Sequence, residues 1–222
     1  MSRQYAYAHV APDRPMIAQA LILLREELNA YIRSLPGNTD QSYVILGNAS
    51  ALESDQPQLK ETILLTLVNI EEESTLKNVK VVQKMMNGAA RYEHPPVYLN
   101  LYLLFSANFP DNYDNALIRL SQTIRFFQSK RLFNLINTTS PTILASANDA
   151  NNPDRDALAG MELVVDLYTM TFEQINHLWG SLGGKQIPFV MYKVRLVVIR
   201  EPKYTAEPPV IEEVGEDSHP TT

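Results

Sequence analysis

Residues 97–107 read VYLNLYLLFSA, and residues 62–71 read TILLTLVNIE. In both stretches, large apolar residues occupy odd and even positions alike. A strand that is apolar on both faces is typical of a central strand covered on both sides. The sequence therefore predicts two central strands, at 62–71 and 97–107, and the rest of the fold is built outward from them.

Helices and further strands follow from the spacing of apolar residues and from capping residues. Three predicted strands come in a row, with no helix between them, before the second helix. This order predicts an α/β (α+β) fold in which a mixed, mainly antiparallel sheet is flanked by helices. The predicted elements are a helix after Pro15, strands at 43–46, 62–71 and 97–107, a helix opened by Pro110 and Asp111, a strand at 161–168, a helix from Thr171 to about Leu182, and a last strand at 189–200.

The sequence also predicts whether particular residues are buried, exposed or in a loop. Glu26 is expected to face outward from the first helix, and residues 145–155 are expected to form a loop. Thr171 and Gln174 fit a capping box at the start of the last helix, whose Trp179 is expected in the core. The second helix is expected to bury one apolar stripe, formed by Tyr113, Ala116, Leu117, Leu120, Ile124 and Phe127.

The chain is predicted to hold one folded domain with extensions. Residues 14–201 form the α/β domain, and residues 1–13 form an N-terminal arm. Residues 71–96 are polar with little periodicity, which predicts a long connection or hairpin arm within the domain. Residues 202–222 hold several prolines and acidic residues but few large apolar ones, which predicts a disordered acidic tail.

Composition excludes several classes of function. The 222 residues include 25 Asp and Glu against 19 Lys and Arg, for a net charge of −6. Nucleic-acid binding relies on clustered cations, so no nucleic-acid partner is expected. The sequence contains no cysteine, which excludes disulfides and thiolate metal sites. The longest apolar runs fall far short of the roughly 20 residues that cross a bilayer, so no membrane partner is expected.

No motif points to catalysis. Glu173 and His177 lie one helical turn apart, but the helix offers no second histidine at ligand spacing. Glu162 and Asp166 share one face of a strand about 13 Å apart, which is too far for a cooperating acid–base pair. The Gly-x-Ser-x-Gly motif and the glycine-rich phosphate loops do not occur in the sequence. The protein is therefore expected not to be an enzyme, with no catalytic residue, metal or cofactor.

Several stretches, taken together and in order, resemble one known family. They are MIAQALILLREELNAYI, LVNIEEESTLKN, PPVYLNLYLLFSANFPDNYDNALIRLSQTIRFFQ and MELVVDLYTMTFEQINHLWGSLGGKQIPFVMYKVRLVVI. Over roughly residues 14–200, the chain resembles the tail-terminator (cap) protein family of phage-tail-like contractile injection systems, of the Photorhabdus virulence cassette and antifeeding prophage type. The most specific elements are Asn69-Ile70-Glu71-Glu72, Leu99-Asn100-Leu101-Tyr102, and Leu178-Trp179-Gly180 followed by Pro188 and Tyr192.

The resemblance implies a small α/β domain that assembles as a homohexameric ring. Such a ring would bind the tube protein at the distal end of the inner tube and the sheath protein of the last layer, and would end tail growth. The protein would be cytoplasmic during assembly and then part of the contractile particle, and would leave the cell wherever the particle is released. Strands with open edges are able to accept a strand from a neighbouring subunit, which suits such an assembly.

The predicted interface residues are Glu71, Glu72, Glu73 and Lys77. They are chosen because an acidic rim and a long exposed connection are poor core material. Two alternatives remain open from the sequence. One is a cytosolic adaptor that binds a different protein through the 71–96 arm, and the other is an enzyme with an unrecognised site.

Overall fold

The computed structural model describes residues 16–50, 57–73, 82–84, 90–92, 97–183 and 185–199. The predicted N-terminal arm at 1–13 and acidic tail at 202–222 lie outside the described residues. The helices are α1 (Met16–Ser34), α2 (Tyr113–Ser129), α3 (Pro141–Asn148), α4 (Arg155–Ala159) and α5 (Phe172–Ser181). The strands are β1 (Val44–Leu46), β2 (Thr62–Glu72), β3 (Val82–Lys84), β4 (Ala90–Tyr92), β5 (Val97–Asn108), β6 (Leu132–Asn134), β7 (Glu162–Leu167) and β8 (Phe189–Ile199).

The sheet has the predicted mixed, mainly antiparallel character. Six strands pair in the order β1-β2-β5-β8-β7-β6, and β3 pairs separately with β4. The β1–β2 pair is parallel, and each of the other neighbouring pairs is antiparallel. The two strands predicted to be central, β2 and β5, are adjacent in the sheet, and the predicted fold class is confirmed.

One face of the sheet packs against α1 and α2. On this side, Leu101, Leu103 and Phe105 of β5 are completely buried, because alternate residues of a strand share one face. The ring of Phe105 lies 5.2 Å from the ring of Phe127 in α2. Residue Leu24 of α1 belongs to the same cluster and is also completely buried. This face therefore carries the main hydrophobic core.

The opposite face has a smaller apolar cluster under α5. Leu64 of β2 and Leu104 of β5 pack there with Trp179, whose side chain is only 3% exposed. The predicted core position of Trp179 is confirmed. The helix begins at the predicted capping box, in which the Gln174 N–H donates to Thr171 Oγ1 at 3.3 Å and the Thr171 N–H donates to Gln174 Oε1 at 2.9 Å.

The sequence analysis missed three short elements, α3, α4 and β6. The prediction of a continuous loop at 145–155 is wrong, because α3 extends to Asn148 and α4 begins at Arg155. Local chemistry starts α3: the Ile143 N–H donates to the Ser140 side chain at 3.3 Å, and Pro141 occupies the first turn. Elements this short carry too few apolar repeats to show a helical period.

The prediction that Glu26 faces outward is also wrong. Its side chain is 16% exposed and reaches the start of α3. There the Thr142 hydroxyl donates to Glu26 Oε1 at 2.6 Å, and the Ser140 hydroxyl donates to Glu26 Oε2. A carboxylate is favoured at a helix N-terminus because the unsatisfied N–H groups there carry partial positive charge. Glu26 therefore ties α1 to α3.

The predicted apolar stripe of α2 is partly wrong. The helix is rotated so that Phe126 is buried, with its ring 5.2 Å from the ring of Tyr31. Thr123 is buried as well, and its hydroxyl donates to the Arg119 carbonyl at 2.9 Å. Burying the adjacent rings of Phe126 and Phe127 together outweighs burying the aliphatic Leu117 and Ile124. Three residues of the predicted stripe are exposed instead, namely Tyr113 (63%), Leu117 (44%) and Ile124 (44%).

Candidate assembly surface

The second half of β2 leaves the core of the protein. Residues 62–66 are buried, whereas residues 69–72 are exposed, and Ile70 is 44% exposed. The pairing with β5 nevertheless continues to the end of the strand, where Glu72 lies opposite Leu99. β1 pairs only with Ile63–Leu65 at the start of β2. The sheet therefore extends past the apolar residues that anchor it.

An irregularity in β2 decides which way the acidic residues point. Leu67 lies opposite Leu103, but Asn69 lies opposite Tyr102, so Val68 is an extra residue in the pairing. Such a bulge shifts the alternation of side chains by one position. Beyond it, Glu71 lies on the α5 side of the sheet together with Tyr102.

Glu71 is held by two hydrogen bonds on this face. The Tyr102 hydroxyl donates to Glu71 Oε2 at 2.7 Å, and the Asn69 amide donates to Glu71 Oε1 at 3.3 Å. The hydrogen bond to the Glu71 carboxylate, together with burial and nearby charge, raises the pKa of Tyr102 to about 12. The phenol therefore remains a donor over the physiological pH range, and it fixes the carboxylate at the sheet surface.

Glu73 is tied to β5 in a similar way. Its backbone N–H donates to the Tyr98 carbonyl at 2.8 Å, and the Asn100 amide donates to Glu73 Oε2 at 3.0 Å. The Asn100 side chain is nearly buried, at 4% exposed. These contacts hold the chain in extended form up to the last described residue of this segment.

The structure does not place the predicted interface residues on one surface. Glu71 and Glu73 lie on the α5 side of the sheet, whereas Glu72, opposite Leu99, lies on the other side. Lys77 lies outside the described residues. The segment 71–96 also contains β3 and β4, which pair antiparallel with each other. The acidic run is thus split between the two faces of an extended pair of strands.

The sequence did not reveal that two basic residues of β8 share a face with Glu71. Across β5, Arg195 lies opposite Asn100 and Lys193 lies opposite Tyr102, so both cations flank the same polar strip. Arg195 also forms an exposed ion pair with Asp166 at 3.4 Å. The signal was present as alternating polar residues in β5 and β8, but only the register shows that they meet.

The described residues offer little for cofactor chemistry. Within the described ranges, no group of three or more His, Cys, Asp or Glu side chains could hold a metal ion. Glu162 and Asp166 are separated along β7, and Asp166 faces the Arg195 guanidinium. Among the helices that the structure describes, none is both long and apolar enough to cross a bilayer.

Comparison with known families identifies the fold. The sequence profile of the Pvc16 N-terminal domain family matches residues 22–213. The chain belongs to this family. A search of curated protein sequences finds no match.

The chain also aligns with two solved structures. The chain is similar to the sheath/tube terminator of a PVC extracellular contractile injection system in the extended state, with a TM-score of 0.53 at 16% identity over 93% of this chain and 64% of that chain. It also aligns with the tube-terminating cap of the anti-feeding prophage, with a TM-score of 0.49 at 15% identity over 95% of this chain and 62% of that chain. The Pvc16-type chain therefore shares the fold of the first terminator and spans less than two thirds of the length of either protein.

Proposed function

We propose that this protein is a structural terminator of a contractile injection system, which binds the distal end of the inner tube and the last sheath layer. The observation that carries the proposal is the Pvc16 family match over residues 22–213. The fold shared with a protein described as a sheath/tube terminator supports it. In this role the protein binds other subunits and carries out no reaction.

The physical task of a terminator is to stop a repeating assembly. A tube ring exposes the same binding face after each addition, so stacking continues until something different covers that face. A terminator matches the last ring on one side and offers no repeat on the other. We propose that the protein does this as a homohexameric ring, which forms in the cytoplasm during assembly and then remains part of the particle.

We propose that the projecting end of β2 contacts the neighbouring subunits. The segment with Glu71, Glu72, Glu73 and Lys77 belongs to this contact. Two features support the choice: residues 69–72 are exposed at the end of a strand that is anchored in the core, and hydrogen bonds from β5 hold Glu71 in place. A rigid strand loses little conformational entropy on binding, whereas a flexible loop would lose more.

Electron microscopy of particles from a deletion strain tests the proposed function. We expect particles of irregular length, or with damaged distal ends, and we expect the wild-type gene to restore them. Tube and sheath subunits should still fold and assemble. Particles of uniform length with intact distal ends would contradict the terminator role and would favour the adaptor alternative.

A charge-reversed pair of variants tests the proposed interface. Glu71→Lys combined with Glu72→Lys should weaken capping in the complemented strain while the purified protein still folds and unfolds cooperatively, because both residues are exposed. Asp40→Lys combined with Asp111→Lys makes the same change of charge at exposed loop residues elsewhere, and should cap normally. Equal defects in both double variants would show that net charge matters and that the end of β2 does not.

A further inference from the structure

The outer strands of a sheet are a hazard for a protein that works among many copies of itself. Their outward N–H and C=O groups can pair with a strand of another copy, which leads to uncontrolled association. The six-stranded sheet ends at β1 on one side and at β6 on the other. Strands with open edges can accept a strand from a neighbouring subunit, and in this structure a side chain occupies part of each of these two edges.

On the outer side of β1, Asn29 of α1 occupies the backbone groups of Val44. The Ile63 N–H donates to the Tyr43 carbonyl at 2.8 Å, and this parallel pairing leaves the N–H and C=O of Val44 pointing away from β2. The Asn29 side chain bonds both groups: the Val44 N–H donates to Asn29 Oδ1 at 3.0 Å, and Asn29 Nδ2 donates to the Val44 carbonyl at 2.8 Å. The Asn29 side chain thus pairs with β1 as a neighbouring strand would.

On the outer side of β6, Asn137 occupies two backbone groups in the same way. The Val165 N–H donates to the Arg131 carbonyl at 2.9 Å, so the alternating antiparallel pattern turns the Leu132 carbonyl and the Asn134 N–H outward. The Asn137 Nδ2 donates to the Leu132 carbonyl at 2.9 Å, and the Asn134 N–H donates to Asn137 Oδ1 at 3.1 Å. One asparagine therefore bonds two outward backbone groups at each of the two opposite edges.

Asn137 is itself held firmly in place. Its N–H donates to Asn134 Oδ1 at 3.0 Å, and its carbonyl accepts a hydrogen bond from Lys130 Nζ at 2.8 Å. Ile136, directly before it, is 95% exposed. An exposed apolar residue next to a strand edge with unpaired backbone groups would favour pairing with another chain. A side chain that already bonds those groups opposes such pairing.

We propose that Asn137, by occupying the edge groups of β6, keeps this strand from pairing with a strand of a second copy of this chain, and that Asn29 does the same at β1. Subunits then meet through other surfaces, and free subunits do not polymerise through their sheets before they reach a particle. This goes beyond the proposed function, because it applies to the free subunit whether or not the protein caps a tube.

Two substitutions at Asn137 separate an open edge from simple loss of stability. Asn137→Ala removes both hydrogen bonds and leaves a neutral edge, which should pair with another copy. Asn137→Asp also loses the bond to the Leu132 carbonyl, but it places a charge at the edge, and edge charges oppose strand addition. We therefore expect self-association from the alanine variant and none from the aspartate variant, although both lower the melting temperature.

Crosslinking at β6 locates the contact. The chain has no cysteine, so Leu132→Cys, at a position 41% exposed, supplies a single thiol for a short bismaleimide. With Asn137→Ala, the crosslinked dimer of the full-length chain should rise by about tenfold over the same cysteine with Asn137 intact, since two edge hydrogen bonds become available to a second copy. An unchanged crosslinked fraction, or an equal rise with Asn137→Asp, would overturn the proposal.

Discussion

Replacing Lys130 by methionine should destabilise the protein more than replacing the carboxylate that it neutralises. Glu27 of α1 is nearly buried, with a side chain 5% exposed, and its Oε2 lies 2.8 Å from Lys130 Nζ. Its Oε1 accepts hydrogen bonds from the Thr138 hydroxyl at 2.8 Å and from the Thr139 backbone. A lysine-to-methionine change keeps most of the apolar chain and removes the countercharge, together with the hydrogen bond to the Asn137 carbonyl.

The expected magnitudes follow from what each change leaves behind. Lys130→Met leaves a buried carboxylate without its cation, a kind of change that costs roughly 3–5 kcal/mol. The bonds from Thr138 and Thr139 remain, so we expect the low end, about 3 kcal/mol. Glu27→Gln leaves no buried charge and keeps an acceptor oxygen, so the loss should be about 1–2 kcal/mol.

The pH dependence of stability tests the contact between Glu27 and Lys130 independently. Burial alone would raise the pKa of Glu27, but hydrogen bonds from Lys130, Thr139 and Thr138, together with the Lys130 charge, hold it below the ordinary value of 4.5. A lowered native pKa adds stability that is complete above the unfolded value and is lost as the pH falls through the native one. The difference in stability between wild type and Glu27→Gln should therefore be constant near neutral pH and shrink below about pH 4.5.

Urea unfolding of the three proteins, from neutral to acid pH, measures both effects. Lys185→Met removes an exposed lysine and serves as the matched control, with an expected change within about 0.5 kcal/mol. Two results would refute the reasoning: a Lys130→Met variant no less stable than Glu27→Gln, or a difference between wild type and Glu27→Gln that does not change in acid.

Two further predictions concern the sheet. Leu101→Ala or Leu103→Ala should each lower the free energy of unfolding by about 2–5 kcal/mol, as at other completely buried leucines. The control Ile118→Ala, at a position 50% exposed, should change stability little. A small effect at the two leucines would mean that this face of the sheet is not the core. Glu71→Gln removes the carboxylate whose hydrogen bond is the largest cause of the raised Tyr102 pKa. The pKa of Tyr102 should therefore fall from about 12 towards 10 in an ultraviolet titration. An unchanged titration would show that the hydrogen bond does not form.

The sequence predicted those parts of the fold that repeat within a few residues. Apolar residues on both faces identified β2 and β5, and the apolar clusters on both sides of the sheet explain why. The capping box at Thr171 and Gln174 was predicted because its two partners are three residues apart. These signals are local, and a single sequence contains them in full.

Contacts between distant parts of the chain could not be predicted in this way. Glu26 pairs with Ser140 and Thr142, more than a hundred residues away, so its burial has no signature near position 26. The same is true of the candidate site. The acidic run at 71–73 was visible, and the alternation of a strand puts Glu71 and Glu72 on opposite faces. The bulge at Val68 decides which of the two faces α5, and no local pattern predicts a bulge.

The occupied edge groups restrict how copies of this protein can meet. Strand addition would have been the simplest way for identical sheets to join, but Asn29 occupies the outward groups of Val44, and Asn137 occupies the Leu132 carbonyl and the Asn134 N–H. A contact through either edge would first have to break hydrogen bonds that are already made, and the net gain would be small. If the proposed ring forms, its subunits must therefore join through side-chain surfaces or through the projecting end of β2. A contact of that kind ends with the ring, because in a closed ring the last subunit meets the first and no copy of the contact is left unpaired.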